Sequence, residues 1–132
     1  MKEFLLTLEK NLPATDDLIA EAESHLGQPL PNEYIDFLKV TNGGEGFLGA
    51  NSYVMFWKVE ELASINRSYQ TEEYAPGLLL FGSDGGGEAY GFDTRLRQGS
   101  IIQVPFIGMA WDDALLIAES FHSFLQRLHD AQ

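Results

Sequence analysis

The chain has 132 residues, of which 45% are hydrophobic and 21% charged. That is one domain's worth of sequence with enough apolar material for a core, so disorder is excluded and a single domain over 1–132 is expected. Eight Lys and Arg stand against twenty Asp and Glu, a formal net charge of −12. This balance disfavours nucleic acid and anionic membranes as partners and favours a basic protein.

In chain order, the start MKEFLLTLEK has only Phe4-Leu5-Leu6 as an apolar run. That is too short for a signal-peptide core. No run in the chain approaches the ~18 apolar residues of a membrane span, and no cysteine implies disulfides or thiolate chemistry, so a cytoplasmic location is expected. Thr15 is placed to cap a helix with Asp16 and Asp17 in its first turn, a stripe of Leu18, Ile19, Ala22 and Leu26, and Gly27 as its stop. A second helix follows Leu30 with Pro31 in its first turn. It carries Tyr34, Phe37, Leu38 and Thr41 and ends at Asn42-Gly43-Gly44.

From Tyr53 the pattern changes. Tyr53 to Trp57 and Leu78 to Phe81 have the composition of buried strands, with a short helix between them over Val59 to Ile65. Glu88 to Asp93 and Ile101 to Val104 form an expected hairpin, with turns at Asp84 to Gly87 before it and Arg95 to Gly99 within it. Phe121, Phe124, Leu125 and Leu128 repeat at helical spacing, so a last amphipathic helix docks on the sheet. The class is α+β with a mainly antiparallel sheet.

No catalytic constellation assembles from these elements. The nucleophile elbow G-x-S-x-G is absent; the nearest fragment, Gly82-Ser83-Asp84-Gly85, lacks its spacing. His122 and His129 lie two helical turns apart, too far for one metal ion, and read with His25 as solvated surface rather than ligands. The stretch from Gly82 to Glu88 lacks the lysine of a P-loop and leads into a strand, so it reads first as a tight turn, then as a partner-contact loop, and last as an ion site using Asp84, Glu88 and Asp93. The pairs Glu60-Glu61, Glu72-Glu73 and Asp112-Asp113 are adjacent in sequence and diverge on any regular element, so they do not share a proton. No cofactor and no metal are expected.

Charge and aromatics together point instead to binding. Between Glu45 and Asp93 the carboxylates outnumber Lys58 and Arg67, and aromatic side chains are interleaved among them. Most of those rings belong in the core. The exposed remainder would anchor a cationic protein, with Tyr53, Trp57 and Tyr90 as hot spots and Glu60, Glu61, Glu72, Glu73, Asp84 and Glu88 as the charged surround.

Ala22-Glu23 and Leu26-Gly27, then Leu30-Pro31, Tyr34, Phe37-Leu38 and Asn42-Gly43-Gly44, resemble the SUKH superfamily of fungal cell-wall regulators and bacterial immunity proteins. The resemblance continues through Phe56-Trp57, Glu61-Leu62, Asn66, Tyr69 and the run from Phe81 to Glu88 with Tyr90 and Phe92-Asp93, and closes on Ala118 to Phe121 with Phe124-Leu125. It covers roughly Asp16 to Leu128. It implies a curved antiparallel sheet with the first two helices and the last packed around it, and no catalytic residues. It also implies a binding role: most readily an immunity protein that neutralises a basic, nucleic-acid-targeting toxin domain, alternatively a regulatory or scaffolding module for a host protein, peptide or small ligand. Leu30, Pro31, Tyr34, Phe37, Leu38, Asn42, Gly43, Gly44 and Gly87 would then serve the scaffold. For the alternative role, a groove between the sheet and the loop after Asn42 would be lined by Trp57, Tyr53 and Tyr90.

Overall fold

Every strand in the computed structural model, which describes residues 1–95 and 99–132, pairs antiparallel with its neighbours in sequence, in the order β1 to β7. A 3-10 turn over Lys2–Leu5 leads into β1 (Leu8–Lys10), followed by α1 (Asp16–Leu26). The expected caps are in place: the Thr15 hydroxyl accepts from the Leu18 amide at 3.1 Å, and Gly27 adopts φ +73° while donating to the Glu23 carbonyl. Ile19 and Ala22 are buried, with Leu18 and Leu26 half-buried beside them.

The second helix is shorter than its spacing predicts. α2 (Asn32–Leu38) starts at Pro31 and ends before Thr41, because Val40 and Thr41 fold their amides back onto the Phe37 carbonyl, at 2.9 Å each. The Thr41 hydroxyl then accepts from the Asn11 amide and donates to the Gly43 carbonyl, so its burial reflects hydrogen bonding in the turn and not a helical stripe. Gly43 is needed where the chain crosses the end of the next hairpin: a Cβ there would lie 2.6 Å from the Phe56 carbonyl oxygen, and φ is +78°.

β2 (Gly44–Leu48) and β3 (Ser52–Phe56) form that hairpin. β1 and β2 lie outside the strands expected from sequence, for a plain reason: one has three residues, and the other, Gly-Glu-Gly-Phe-Leu, carries two glycines and no apolar run. A 3-10 turn over Val59–Glu61 runs into α3 (Leu62–Ser68), and α4 (Thr71–Tyr74) adds a single turn. β4 (Leu78–Ser83), β5 (Glu88–Asp93) and β6 (Ile101–Pro105) follow, then β7 (Leu115–Ala118) and α5 (Phe121–Asp130), capped by the Ser120 hydroxyl. The turn expected over 95–99 has its centre, 96–98, outside the described residues.

The sheet is buried unequally. β4 is buried along its length, as expected, whereas β3 alternates: Val54 and Phe56 face inward and Tyr53 is exposed. On one face α1, α2 and α5 cover Val54, Phe56, Leu79, Phe81, Tyr90 and Phe92. On the other, Ala75 and Met109 cover Leu78, Leu80, Ala89, Ile102 and Val104, but only over β4 to β6. The first core is aromatic, with Tyr34 5.2 Å from Phe92 and 5.3 Å from Phe121, Phe37 4.7 Å from Phe56, and Phe81 4.6 Å from Phe92.

Two buried polar groups differ in their consequences. The Asn66 amide donates to the carbonyls of Leu62 and Leu80, and its oxygen accepts from the Leu80 amide at 2.8 Å. β3 pairs with β4 only at Met55 and Phe56, so Asn66 stands in for the missing strand beside Leu80. Replacing Asn66 with leucine should therefore cost about 3 kcal/mol in chemical denaturation, because two backbone groups would be left buried and unpaired. The Tyr34 hydroxyl, by contrast, has no hydrogen-bond partner among the described residues, and burial pushes its pKa far above the ordinary phenol value. Tyr34→Phe should stabilise the chain by about 1 kcal/mol, read as a higher Tm, since it removes an unsatisfied hydroxyl and keeps the ring.

Candidate binding surface

The half of the second sheet face left uncovered carries the candidate site. Side chains alternate along a strand, so once Val54 and Phe56 point into the aromatic core, Tyr53 and Met55 must point away from it. Register carries the same face across the hairpin. Glu9 of β1 pairs with Glu45 of β2, Glu45 with Met55, and Phe47 with Tyr53. The result is an acidic and an aromatic row side by side. Phe47 is 46% exposed and Tyr53 37%, their rings meeting edge-on at 5.4 Å.

The Tyr53 hydroxyl donates a hydrogen bond to the Glu45 carboxylate, joining the two rows. That bond, more than any burial, raises the pKa of the Tyr53 phenol, with the charges of Glu45 and Glu9 acting the same way. Gly85, at φ +81°, brings the β4–β5 turn against the Tyr53 ring, where any Cβ would lie within 2.8 Å. Beside the rows a cleft of about 660 Å³ is lined by Glu9, Lys10, Glu45, Met55, Trp57, Lys58 and Glu61. Trp57 is half-buried and reaches toward Phe106, at 6.4 Å between rings, which in turn meets exposed Tyr69 at 4.9 Å.

Of the residues proposed from sequence, the structure brings together Tyr53, Trp57 and Glu61. Of the three residues expected to line a groove beside the loop after Asn42, Trp57 alone lines this cleft. Other residues are committed elsewhere. The Glu60 carboxylate accepts from the Asn42 amide at 2.7 Å while the Asn42 oxygen accepts from the Val59 amide, so this pair holds the chain crossing together. Asp84 closes its own turn by accepting from the amides of Gly86 and Glu88, and Glu88 accepts from Gln103. Glu72 and Glu73 lie on α4, along a separate cleft of about 720 Å³ shared with His25, Arg67 and Gln70.

Tyr90 requires correction. It is 5% exposed with its ring 4.9 Å from Phe124, because β5 points it with Phe92 into the helix-covered core; burial, then Asp84 and Glu88, push its phenol up to about 12. It anchors the fold and is not available to a partner. Gly87 sits in its turn without positive φ, so the conformational demand falls on Gly85 instead. His122 and His129 are also more than solvated surface: their rings flank Phe4 at 5.4 and 5.2 Å and hold the N-terminal turn on α5. Leu30, Tyr34, Phe37 and Leu38 are buried core, and Pro31, Asn42, Gly43 and Gly44 shape the connections around α2.

Sequence reasoning missed Glu9, Glu45, Phe47 and Met55 as site residues. The signal for two of them was present in the alternation Glu45, Phe47 between glycines, but the pairing partner of Glu45 is a three-residue strand far away in the chain. Among the described residues no group of three or more His, Asp or Glu side chains could hold a metal ion, and no helix is long and apolar enough to cross a membrane.

Comparison with known families identifies the scaffold. Residues 13–127 match the SMI1 / KNR4 family (SUKH-1). The chain belongs to this family. The search of curated proteins finds no match. SUKH-1 membership fits an immunity or regulator module of a generally non-catalytic kind. The matched stretch of this SUKH-1 chain takes in Glu45, Phe47, Tyr53, Trp57 and Glu61, whereas β1 with Glu9 lies before it.

The Tyr53–Glu45 bond gives a direct check on the geometry of the face. With the tyrosines labelled for carbon NMR, the signal lost in Tyr53→Phe should titrate above the ordinary phenol range in the parent chain, and Glu45→Gln should bring it back toward the ordinary value.

Proposed function

We propose that this SUKH-1 chain is a non-catalytic protein-binding module that serves as an immunity protein in the cytoplasm, binding and neutralising a basic toxin domain that acts on nucleic acid. The observation that carries the proposal is the open sheet face, on which Glu9 and Glu45 run beside exposed Phe47 and Tyr53 on a chain of net charge −12. A toxin that cleaves or modifies nucleic acid presents a basic cleft to phosphates. Carboxylates held at strand spacing compete for such a cleft. The long-range field raises the rate of encounter, and the aromatic row supplies the desolvated contacts from which affinity comes, at about 2 kcal/mol or more for each true hot spot.

The division of labour separates two classes of variant. Glu9→Gln with Glu45→Gln should slow association and flatten its salt dependence, whereas Phe47→Ala should mainly speed dissociation. Glu60 is unsuited to charge reversal, since it also holds Asn42.

The test is capture with the tagged chain from lysate of its own source, eluted with a salt gradient and identified by mass spectrometry. The expected result is a basic protein released at moderate salt that is lethal when expressed alone, tolerated on co-expression with the chain, and no longer captured by the Phe47→Ala, Tyr53→Ala variant. Recovery of no partner, of a harmless one, or of one held regardless of salt would overturn the proposal and favour a regulatory module.

A further inference from the structure

The strand order ends at β7, and among the described residues no strand pairs with its outer edge. β7 reads Leu-Leu-Ile-Ala, with no charge and no proline to discourage pairing. Leu115 and Leu116 are 62% and 58% exposed, and as neighbours on a strand they point to opposite faces, so both sides of the edge carry an uncovered leucine. Leu116 borders a groove of about 440 Å³ whose apolar lining is Ile102, Trp111 and Ala114, and which Asp93, Arg95, Ser100 and Glu119 also line. The opposite edge differs: β1 has three residues, two of them Glu9 and Lys10.

We propose that β7 takes up an extended strand of a partner protein by edge-on pairing at Leu115 and Leu116, and that this strand is flanked by Lys or Arg. The far end of β7 is already engaged, because Arg127 Nη1 donates to the Ile117 carbonyl at 2.8 Å. Pairing is thereby confined to the end next to Asp112 and Asp113, which stand exposed on the 3-10 turn just before β7. Those aspartates choose the occupant. A cationic strand gains charge-assisted contacts there, and two copies of a chain at −12 repel one another. Main-chain hydrogen bonds supply the attachment, and the groove beside Leu116 takes an apolar side chain of the incoming strand. The cationic character of the partner rests on these aspartates together with the proposed function; the open edge depends on neither.

The test uses the full chain, labelled with nitrogen-15, and a synthetic probe: a hexapeptide of alternating valine and threonine between terminal lysines. The expected result is amide shifts at Leu115 and Leu116 that vanish when alternate amides of the probe are N-methylated. Binding should weaken about fivefold in Asp112→Asn, Asp113→Asn, the size expected for loss of two exposed charge contacts. Shifts elsewhere, equal binding of the N-methylated probe, or sedimentation as a dimer paired through β7 would overturn it. Because no toxin enters this experiment, its failure leaves the immunity proposal standing, and failure of capture leaves the edge result standing.

Discussion

Packing of α2 and α5 against the sheet through one aromatic cluster is the constraint from which the rest of the structure follows. Tyr34 and Phe37 from α2, Phe121 and Phe124 from α5, and Phe56, Phe81 and Phe92 from three strands meet at ring separations of 4.6 to 6.4 Å. Such pairs favour tilted and edge-on geometries, each worth about 1 kcal/mol beyond burial, so the cluster fixes orientation as well as contact. Once Phe56 is committed inward, strand alternation leaves Tyr53 and Met55 no choice of face. The exposed aromatic row is thus a consequence of the core.

The meander would be incomplete without buried side-chain amides. Asn66 bonds the Leu80 backbone where β3 does not reach, and Asn42 ties the end of α2 to the turn before α3. Both replace backbone pairing at places where the chain must change direction, which is why apolar substitution there is costly while loss of the Tyr34 hydroxyl is not. Glu60 completes the Asn42 arrangement, so a carboxylate that by composition belongs to the acidic surface belongs by geometry to the scaffold.

Local chemistry made part of this legible. Thr15, Gly27 and Pro31 mark their helix ends through the cap geometry itself, and the apolar run at Leu78 to Phe81 has the composition and turn-bounded length of a buried strand. β1, β2 and β7 were not legible because pairing, not propensity, makes them strands: Gly44 and Gly46 carry positive φ, and the exposed Leu115 and Leu116 lack an alternating pattern. The same limit applied to the site. Tyr53, Trp57 and Glu61 were identifiable by residue type, but Glu9 joins them only through register with Glu45, and Tyr90 leaves them only through the face that β5 presents.

Family membership locates the scaffold, and the surface confers what is particular to this chain. Its carboxylates are not equivalent: those of Glu60 and Asp84 hold loops, while Glu9 and Glu45 line an open face beside Phe47 and Tyr53. On the proposed function this face, and not the layer of helices, meets the partner. The most direct measurement is amide hydrogen exchange of the chain alone and in complex with the partner it captures. Protection concentrated on β1 to β3 around Glu9, Glu45, Phe47, Tyr53 and Met55 is the expected result. Protection confined to α1, α2 and α5, with β2 and β3 unchanged, would contradict it.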